Sequence, residues 1–425
     1  MTKYDPFRTT AALDEVLLDV ATIIELSPRD RSIAENRYRH LKTHLERPKS
    51  LLAPYLGDGV SMIYAQGSIA TSTTIVRGTD DDRFDVDAIV EIDVPAHWSD
   101  AHALDLLEIA LQGFPRATAI VRMTRCVQVQ FPFMHMDVTI LDRSERLLIA
   151  RAGEIFHVPD EARASRVPSN PWGFTDWFRS SVGVRHETFA DARRRHRATL
   201  SKNRLLADGD EHIVKAEQQP LPPAIPAAID AQEAVALMLL KRFVNLRYET
   251  SSLRQPPSIY LTKRAGDVGY VTEGLSAQLY ALADSTARIL RQHLAEGTRP
   301  DEKNPSYAED RINDRWPEAG PQGVRDMEVF AQALEHFADR LNDMATATLS
   351  EIAKGVDELF GERIGKQERE ALAKRYDRRA DAAPILTEPR SGAVFAPAIV
   401  TSRETLREVP RHNFHPFRLG PDDDE

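Results

Sequence analysis

The stretch FDVDAIVEID, residues 84–93, alternates apolar and polar side chains with the two-residue period of a β-strand. One face of such a strand is wholly apolar, whereas the other begins with Asp85 and Asp87 side by side. Neighbouring carboxylates repel each other, and their burial is costly unless a cation lies between them. By itself the pair fits either a metal site or two solvated residues on the open face of a half-covered sheet.

Two further stretches contain residues that could complete a site with these aspartates. MHMDVTIL, residues 134–141, has the same alternation, with Asp137 on its polar face. MIYAQGS, residues 62–68, predicts a short strand that runs into Gly67 and Ser68, where glycine lets backbone N–H groups approach a phosphate. If the strands are adjacent, three carboxylates lie beside a phosphate-binding turn. That arrangement suits Mg²⁺ and phosphoryl or nucleotidyl transfer.

Composition excludes several classes of protein. The 55 Lys and Arg against 65 Asp and Glu give a net charge of −10, which argues against a dedicated binder of long DNA or RNA but leaves nucleotides open. Cys126 is the only cysteine, so the chain holds no disulfide framework and no cysteine-rich zinc site. Because no signal-peptide core and no run of about 18 apolar residues is present, we expect a soluble cytoplasmic protein without a membrane partner.

Beyond these strands, periodicity predicts a mixture of helices and strands. Residues 117–133 predict two further strands or one long one. Helical spacing is found in five stretches, namely 11–56 (two helices), 101–112, 231–249, 273–296 and 322–360. The chain is therefore predicted to be of the α+β class.

The Gly67-Ser68 turn, the Asp85-x-Asp87 strand and Asp137 together resemble the core motifs of the polymerase-β-like nucleotidyltransferase superfamily. Three later stretches are similar to a narrower family, the cGAS/DncV-like nucleotidyltransferases (CD-NTases) of bacterial anti-phage (CBASS) signalling: LMLLKRFVNLRY, PPSIYLTKRAG and NPSYAEDRINDRW. The resemblance covers most of the chain from the glycine turn to the last of these stretches. It is highly specific in the core and moderately specific beyond it.

The resemblance implies a polymerase-β-like nucleotidyltransferase core, a mixed sheet flanked by helices, with a C-terminal helical domain. The molecule would be bilobal, with the active-site cleft between the lobes. We predict the core with its N-terminal helices at 1–215, the helical domain that completes the nucleotide pocket at 216–380, and a tail at 381–425. A proline-rich stretch, QQPLPPAIPAA at 218–228, is the predicted hinge.

The same resemblance implies site residues. Catalysis and metal binding would fall to Asp85, Asp87 and Asp137, with two Mg²⁺ ions as the cofactor and Mn²⁺ as a substitute. Nucleotide binding would fall to five residues, Gln66, Gly67, Ser68, Lys241 and Ser258.

For two of these residues the sequence leaves alternatives open. Lys241 could instead mark the point where an apolar helix emerges into water, and Ser258 could equally be the N-cap of the next helix, a role compatible with nucleotide binding.

Four other residues and one basic run have weaker assignments. Arg125 and Gln128, which precede Asp137, are candidates for reading an acceptor base, the alternative being ordinary strand positions. Asn304 and Trp316 are expected to order a loop near the site. The run RRRHR at 193–197 is either a solvated helical face or part of a groove, and the sequence does not decide.

The implied activity is the condensation of NTPs, with ATP and GTP expected, into a cyclic di- or trinucleotide such as cyclic GMP-AMP. The product would act on a downstream effector that does not contact this chain. We expect a monomer under the control of a regulatory protein or metabolite, without a nucleic-acid activator. The alternatives are an RNA- or protein-modifying nucleotidyltransferase and a catalytically inactive nucleotide-binding scaffold.

Overall fold

The structure, a computed structural model, describes residues 10–56, 61–76, 83–143, 149–160, 163–183, 187–207 and 230–382, and three two-residue strands after them. The chain divides into two compact units, Met1–Glu368 and Arg369–Glu425. The helices are α1 Ala11–Ile24, α2 Pro28–Glu46, α3 Ala53–Leu56, α4 Gly67–Ala70, α5 Asp100–Leu111, α6 Pro171–Ser181, α7 Glu187–Ala207, α8 Gln232–Glu249, α9 Ser258–Val268, α10 Leu275–Glu296, α11 Pro321–Ala345, α12 Leu349–Phe360 and α13 Glu362–Ala382.

The strands are β1 Met62–Gln66, β2 Phe84–Ile92, β3 Ala119–Arg122, β4 Val127–Gln130, β5 Met134–Arg143, β6 Gly153–His157, β7 Ser165–Ser169, β8 Lys303–Asn304, β9 Tyr307–Arg311, β10 Leu386–Thr387, β11 Val394–Phe395 and β12 Arg407–Glu408. Strands β1 to β7 form one sheet in which β1, β2, β5, β4 and β3 are neighbours in that order, and β6 and β7 continue from β5. Only β2 and β5 run parallel; the other pairs are antiparallel. The predicted mixed sheet with flanking helices is confirmed.

The two faces of β2 differ as the alternation predicts. Val86 and Val90 are fully buried and belong to the same hydrophobic core as Leu104 and Leu107 of α5. Full burial of one such aliphatic side chain contributes about 1.5–3 kcal/mol. A one-residue slip of β2 would exchange this face for the aspartate face, so the core fixes the side of the sheet on which the carboxylates lie.

The N-terminal helices are confirmed and have side-chain caps. Thr10 accepts a hydrogen bond from the Leu13 N–H at the start of α1, and Ser27 does the same for α2. Helix α1 packs against α7, α8 and α10. In addition, the Asp14 carboxylate accepts from the backbone N–H of Leu275 at 3.1 Å, which caps α10. The N-terminal helix therefore packs against the C-terminal helices α8 and α10, and its Asp14 caps α10.

The C-terminal helices surround α8, which is buried along most of its length. The predicted helical stretch 322–360 is two helices, because Thr348 and Glu351 form a capping box that starts α12. Within the described part of the chain, none of the helices has the length and hydropathy needed to cross a bilayer. The predicted domain boundary at 215/216 lies outside the described residues, so the division at 1–215, 216–380 and 381–425 stays a prediction.

The basic run at 193–197 is not simply a solvated face. Arg193 is fully buried on α7 and donates to Glu25 at 2.8 Å and to the Thr22 hydroxyl at 2.5 Å, both near the end of α1. Arg197 donates to the same Glu25 carboxylate and pairs with Asp230. Arginines of this run therefore hold α7 against the end of α1 by ion pairs and hydrogen bonds. We call the four residues of this contact the junction cluster: Glu25, Arg193, Arg197 and Asp230.

Candidate active site

The sheet register brings the predicted aspartates together. In the parallel pair of β2 and β5, Asp87 lies opposite Asp137, and Asp85 lies opposite His135. In the antiparallel pair of β1 and β2, Gln66 lies opposite Asp87. Because neighbouring strands lie about 4.8 Å apart, side chains paired across them on one face are in reach of one another. Three carboxylates therefore share one face at one end of these strands.

Gly67 is required by both its backbone and its neighbour. It has φ +63, in the left-handed region that glycine adopts without strain. A Cβ added there would overlap the Oδ2 and Cγ atoms of Asp87. The turn between β1 and α4 can therefore approach the carboxylate only because residue 67 has no side chain.

Two neutral side chains, Tyr38 and Cys126, lie near the aspartates. The Tyr38 hydroxyl on α2 donates to the backbone carbonyl of Asp87. Burial, and then the charge of Asp87, raise the pKa of Tyr38 well above its usual value, so the phenol keeps its proton. Burial together with the charges of Asp137 and Asp87 also raises the pKa of Cys126 to about 12, so this thiol stays uncharged at neutral pH.

Hydroxyl groups line the turn that follows β1. The Ser68 hydroxyl lies 3.0 Å from that of Thr74, and the Thr71 hydroxyl lies 2.9 Å from that of Thr73. Thr71 also donates to the carbonyls of Gly67 and Ser68, at 3.1 and 3.2 Å. This loop therefore presents hydroxyl groups to the same space as the aspartates.

Lys241 reaches this loop from α8. Its side chain is only 5% exposed, and its ammonium donates to the Thr73 hydroxyl at 2.8 Å. The alternative that the lysine marks the emergence of α8 into water is therefore wrong, because the helix stays buried at this point. A buried cation that faces hydroxyls and carboxylates is suited to bind an anion between them.

Ser258 is not an N-cap. Pro257 occupies the cap position of α9, and no side chain caps the helix; Ser258 is the first helical residue. The Pro-Pro-Ser signal located the start of the helix but not the role of the serine.

One cavity of about 530 Å³ collects these groups, a volume within the usual range of about 300–1,000 Å³ for small-molecule sites. All eight residues that the resemblance assigned to the site line it: Gln66, Gly67, Ser68, Asp85, Asp87, Asp137, Lys241 and Ser258. Sequence reasoning missed other polar lining residues, including Thr71, Thr73, Thr74, Asn245, Gln255 and Asp310. Threonines in the stretch IATSTTI were the available signal for the first three.

The weaker assignments lie around the cavity rather than on its wall. The Arg125 guanidinium pairs with the Asp314 carboxylate, with one N–O distance of 3.3 Å, and donates to His157. Asn304 is buried and donates to Asp310, a lining residue, at 2.9 Å. Asn304 thus orders the wall, as predicted.

The carboxylates do not form a closed metal cage. In the residues that the structure describes, no three Asp, Glu, His or Cys side chains are placed to hold a metal ion by themselves. Mg²⁺ is commonly bound by one or two carboxylates together with substrate phosphates and water. The donor set fits that mode of binding.

Comparison with known proteins places this geometry in a family. Residues 12–181 match the model of the Second Messenger Oligonucleotide or Dinucleotide Synthetase domain. The chain is 33% identical to the cyclic dinucleotide synthase CdnG of Bradyrhizobium diazoefficiens over 417 residues, which span 95% of this chain and 94% of the relative. The chain belongs to the CD-NTase family. It is therefore a nucleotidyltransferase homologous to cyclic dinucleotide synthases.

Solved CD-NTase structures have the same fold. The structure of B. diazoefficiens CdnG in complex with GTP matches with a TM-score of 0.70 at 30% identity, covering 85% of this chain and 99% of that one. CdnC of E. coli MS115-1, in its complex with HORMA-deltaN, matches with a TM-score of 0.52 at 14% identity, covering 82% and 97% of the two chains. At that identity the second match shows the fold alone.

Proposed function

We propose that this CD-NTase condenses nucleoside triphosphates into a cyclic dinucleotide in the cavity described above, in a reaction that requires a divalent metal. The observation that carries the proposal is the convergence of Asp85, Asp87 and Asp137 with Lys241 and the Gly67 turn on one cavity. Carboxylates, a buried ammonium and a glycine turn are the groups that a metal-bound triphosphate needs.

We propose two Mg²⁺ ions, or Mn²⁺ in their place, because the cavity offers the carboxylate oxygens that these ions prefer. Asp85, Asp87 and Asp137 would hold them, with the triphosphate and water completing the ligands, and the absence of a Cβ at Gly67 leaves the Asp87 carboxylate open to the turn. Metal ions in such sites lower the pKa of an attacking hydroxyl and stabilise the leaving pyrophosphate.

The chain itself contributes binding and orientation. The buried ammonium of Lys241 would neutralise phosphate charge, and Ser68 would donate to the same phosphates. A ribose hydroxyl of one nucleotide attacks the α-phosphorus of another. The new O–P bond forms as the bond to the bridging oxygen of the pyrophosphate breaks, and the hydroxyl proton passes to the surrounding carboxylates or water. A second transfer of the same kind closes the ring.

GTP is proposed as one substrate because the related CdnG structure contains GTP. ATP is proposed as the second, with cyclic GMP-AMP as the product, and anti-phage signalling as the purpose. We further propose that the enzyme acts as a monomer under the control of a partner protein or metabolite, and that added duplex DNA or RNA leaves turnover unchanged. Turnover that requires added duplex would contradict this last point.

The test is to incubate the protein with the four NTPs and Mg²⁺ or Mn²⁺ and to identify products by mass spectrometry. A cyclic dinucleotide that depends on added metal supports the proposal. Nucleotide attached to RNA or to protein would support a modifying enzyme, and the absence of any turnover would support an inactive scaffold. Asp93→Asn is the matched control for the aspartates, because Asp93 lies just beyond β2, pairs with Arg143 and is absent from the cavity wall.

A further inference from the structure

Asp137 is held by a side chain that does not line the cavity. The Nε2 of Gln128, on β4, donates to Asp137 Oδ1 at 3.0 Å. The two residues are direct partners in the antiparallel pair of β4 and β5. Asp87 occupies the corresponding position on the other side, across the parallel pair of β2 and β5. Asp137 therefore lies between a carboxylate on one neighbouring strand and an amide on the other.

A second amide sets the orientation of the first. The Nε2 of Gln130 donates to the Oε1 of Gln128 at 2.8 Å. An ionised carboxylate only accepts hydrogen bonds, so the Gln128 amide must present its NH₂ group to Asp137 and its oxygen to Gln130. Both glutamines lie on the same face of β4, while Val127 and Val129, which alternate with them, are fully buried in the core. The strand alternation thus directs two amides in series toward Asp137.

This arrangement answers a problem created by the register. Like charges directly opposite each other on neighbouring strands repel, and repulsion alone would leave the Asp137 carboxylate free to rotate. A neutral donor on the far side binds one oxygen without adding charge, and it leaves the other oxygen for the cavity. Arg or Lys at residue 128 would instead neutralise the carboxylate and compete with a metal ion.

We propose that Gln128, oriented by Gln130, is a positioning residue that fixes the Asp137 carboxylate for metal and substrate. This role differs from reading an acceptor base, for which Gln128 was a sequence candidate: its amide is engaged by Asp137 and Gln130, and it is absent from the cavity wall. Because the inference concerns the same aspartates, it rests on the proposed function.

The decisive variant is Gln128→Leu, which keeps approximate size and removes the donor. We expect the affinity for Mn²⁺, measured by electron paramagnetic resonance with a non-hydrolysable GTP analogue, to fall about 10- to 100-fold, as it does when groups that orient metal ligands are removed. We expect kcat to fall by a similar factor with the KM for GTP changed less than about twofold. Gln128→Glu should be worse, because it places an acceptor against an acceptor.

Controls separate positioning from a general effect on folding. Gln292→Leu changes a glutamine on the exposed face of α10 that donates to Glu296 in its own helix, and it should leave metal affinity and kcat unchanged. Gln130→Leu should give a smaller loss in the same direction, and it carries the test if Gln128→Leu does not fold. A crystal structure of Gln128→Leu should show the Asp137 carboxylate turned from its wild-type orientation.

If the wild type binds Mn²⁺ and the Gln128→Leu variant shows the same Mn²⁺ affinity and kcat, the proposed role of Gln128 is wrong and the proposed function is unaffected. An equal loss in Gln292→Leu would overturn it as well. A wild-type protein that neither binds Mn²⁺ nor releases pyrophosphate would remove the proposed function, and this inference with it.

Discussion

Two groups of charged side chains in the molecule are built in opposite ways. In the junction cluster, Arg193 and Arg197 lie against Glu25 and Asp230, so each cation faces an anion. In the cavity, Asp87 lies beside Asp137, and Asp85 lies two residues away on the same face. Matched charges stabilise the contact between two helices, whereas carboxylates placed side by side raise the energy of the fold unless a cation binds. We therefore expect the junction cluster to stabilise the fold, and we propose ligand binding for the cavity aspartates.

The largest expected effect is on catalysis, in the cavity. Asp87→Asn keeps the size of the side chain and removes its charge, so turnover of NTPs should fall at least about 1,000-fold while the fold is retained. Product is measured by mass spectrometry beside the Asp93→Asn control. Undiminished product from Asp87→Asn would contradict the metal-binding role.

The junction cluster should show the opposite behaviour. Arg193→Met removes a fully buried cation together with its hydrogen bonds to the Glu25 carboxylate and the Thr22 hydroxyl, so the free energy of unfolding should drop by about 3 kcal/mol. Turnover per folded molecule should stay near that of the wild type. Chemical denaturation and active-site titration measure the two quantities, and a large loss of kcat in fully folded protein would contradict the separation.

The pH dependence of the unfolding free energy of Arg193→Met tests the stabilising role of the junction cluster further. Burial opposes the charged form of Glu25, but the charges of Arg193 and Arg197 outweigh it and lower its pKa below the ordinary 4.5. A lowered folded-state pKa contributes stability above pH 4.5 that is lost as the pH falls through the folded value. The difference in unfolding free energy between wild type and Arg193→Met should therefore be larger at pH 7 than at pH 3. An equal difference at both values would contradict it.

Lys241 joins the two kinds of site, since it is a buried cation that lies in the cavity. Lys241→Met should lower kcat/KM about 100-fold, the usual effect of removing one donor to a reacting group. Lys42→Met, on the exposed face of α2, is the control. Full activity of Lys241→Met would remove the lysine from the phosphate-binding set.

The smallest effect is expected at an exposed neighbour of Arg193. Arg194 pairs at the surface with Glu187 and Asp191, which are both at least half exposed, and it lies 4.0 Å from the carboxylate of Asp230 in the junction cluster. Exposed pairs contribute little because water screens them. Arg194→Ala should leave both the unfolding midpoint and kcat unchanged, and a substantial loss would show that exposure does not separate the two arginines.

Local patterns could be predicted from the sequence, and contacts between distant segments could not. The spacing of Asp85 and Asp87 on an alternating strand placed both on one face, because strand periodicity is a property of the chain itself. The direct pairing of Asp87 with Asp137 depends on a parallel register between strands that are far apart in the sequence, which the local pattern does not reveal. The hydrogen bond from Gln128 to Asp137 could not be predicted for the same reason, because it depends on which residues of β4 and β5 are paired.

The errors have similar causes. Pro-Pro-Ser signals the start of α9, but whether the serine is cap or first residue depends on backbone angles. By contrast, the division between α11 and α12 was readable, since Thr348 and Glu351 have the spacing of a capping box. The burial of Lys241 could not be predicted from the sequence. An apolar stretch followed by lysine is equally typical of a helix that leaves the core and of a helix that brings a cation to a site.

The proposal that the cavity aspartates serve ligand binding rather than stability is tested most directly by the stability of the double variant Asp85→Asn/Asp87→Asn. Without metal, it should unfold at the same denaturant concentration as the wild type or a higher one, because the repulsion among the carboxylates is reduced. With Mn²⁺ and a non-hydrolysable GTP analogue, the wild type should gain stability in proportion to ligand binding and the double variant should gain none. A metal-free double variant that is less stable by more than about 2 kcal/mol, and that is still stabilised by Mn²⁺, would contradict the account.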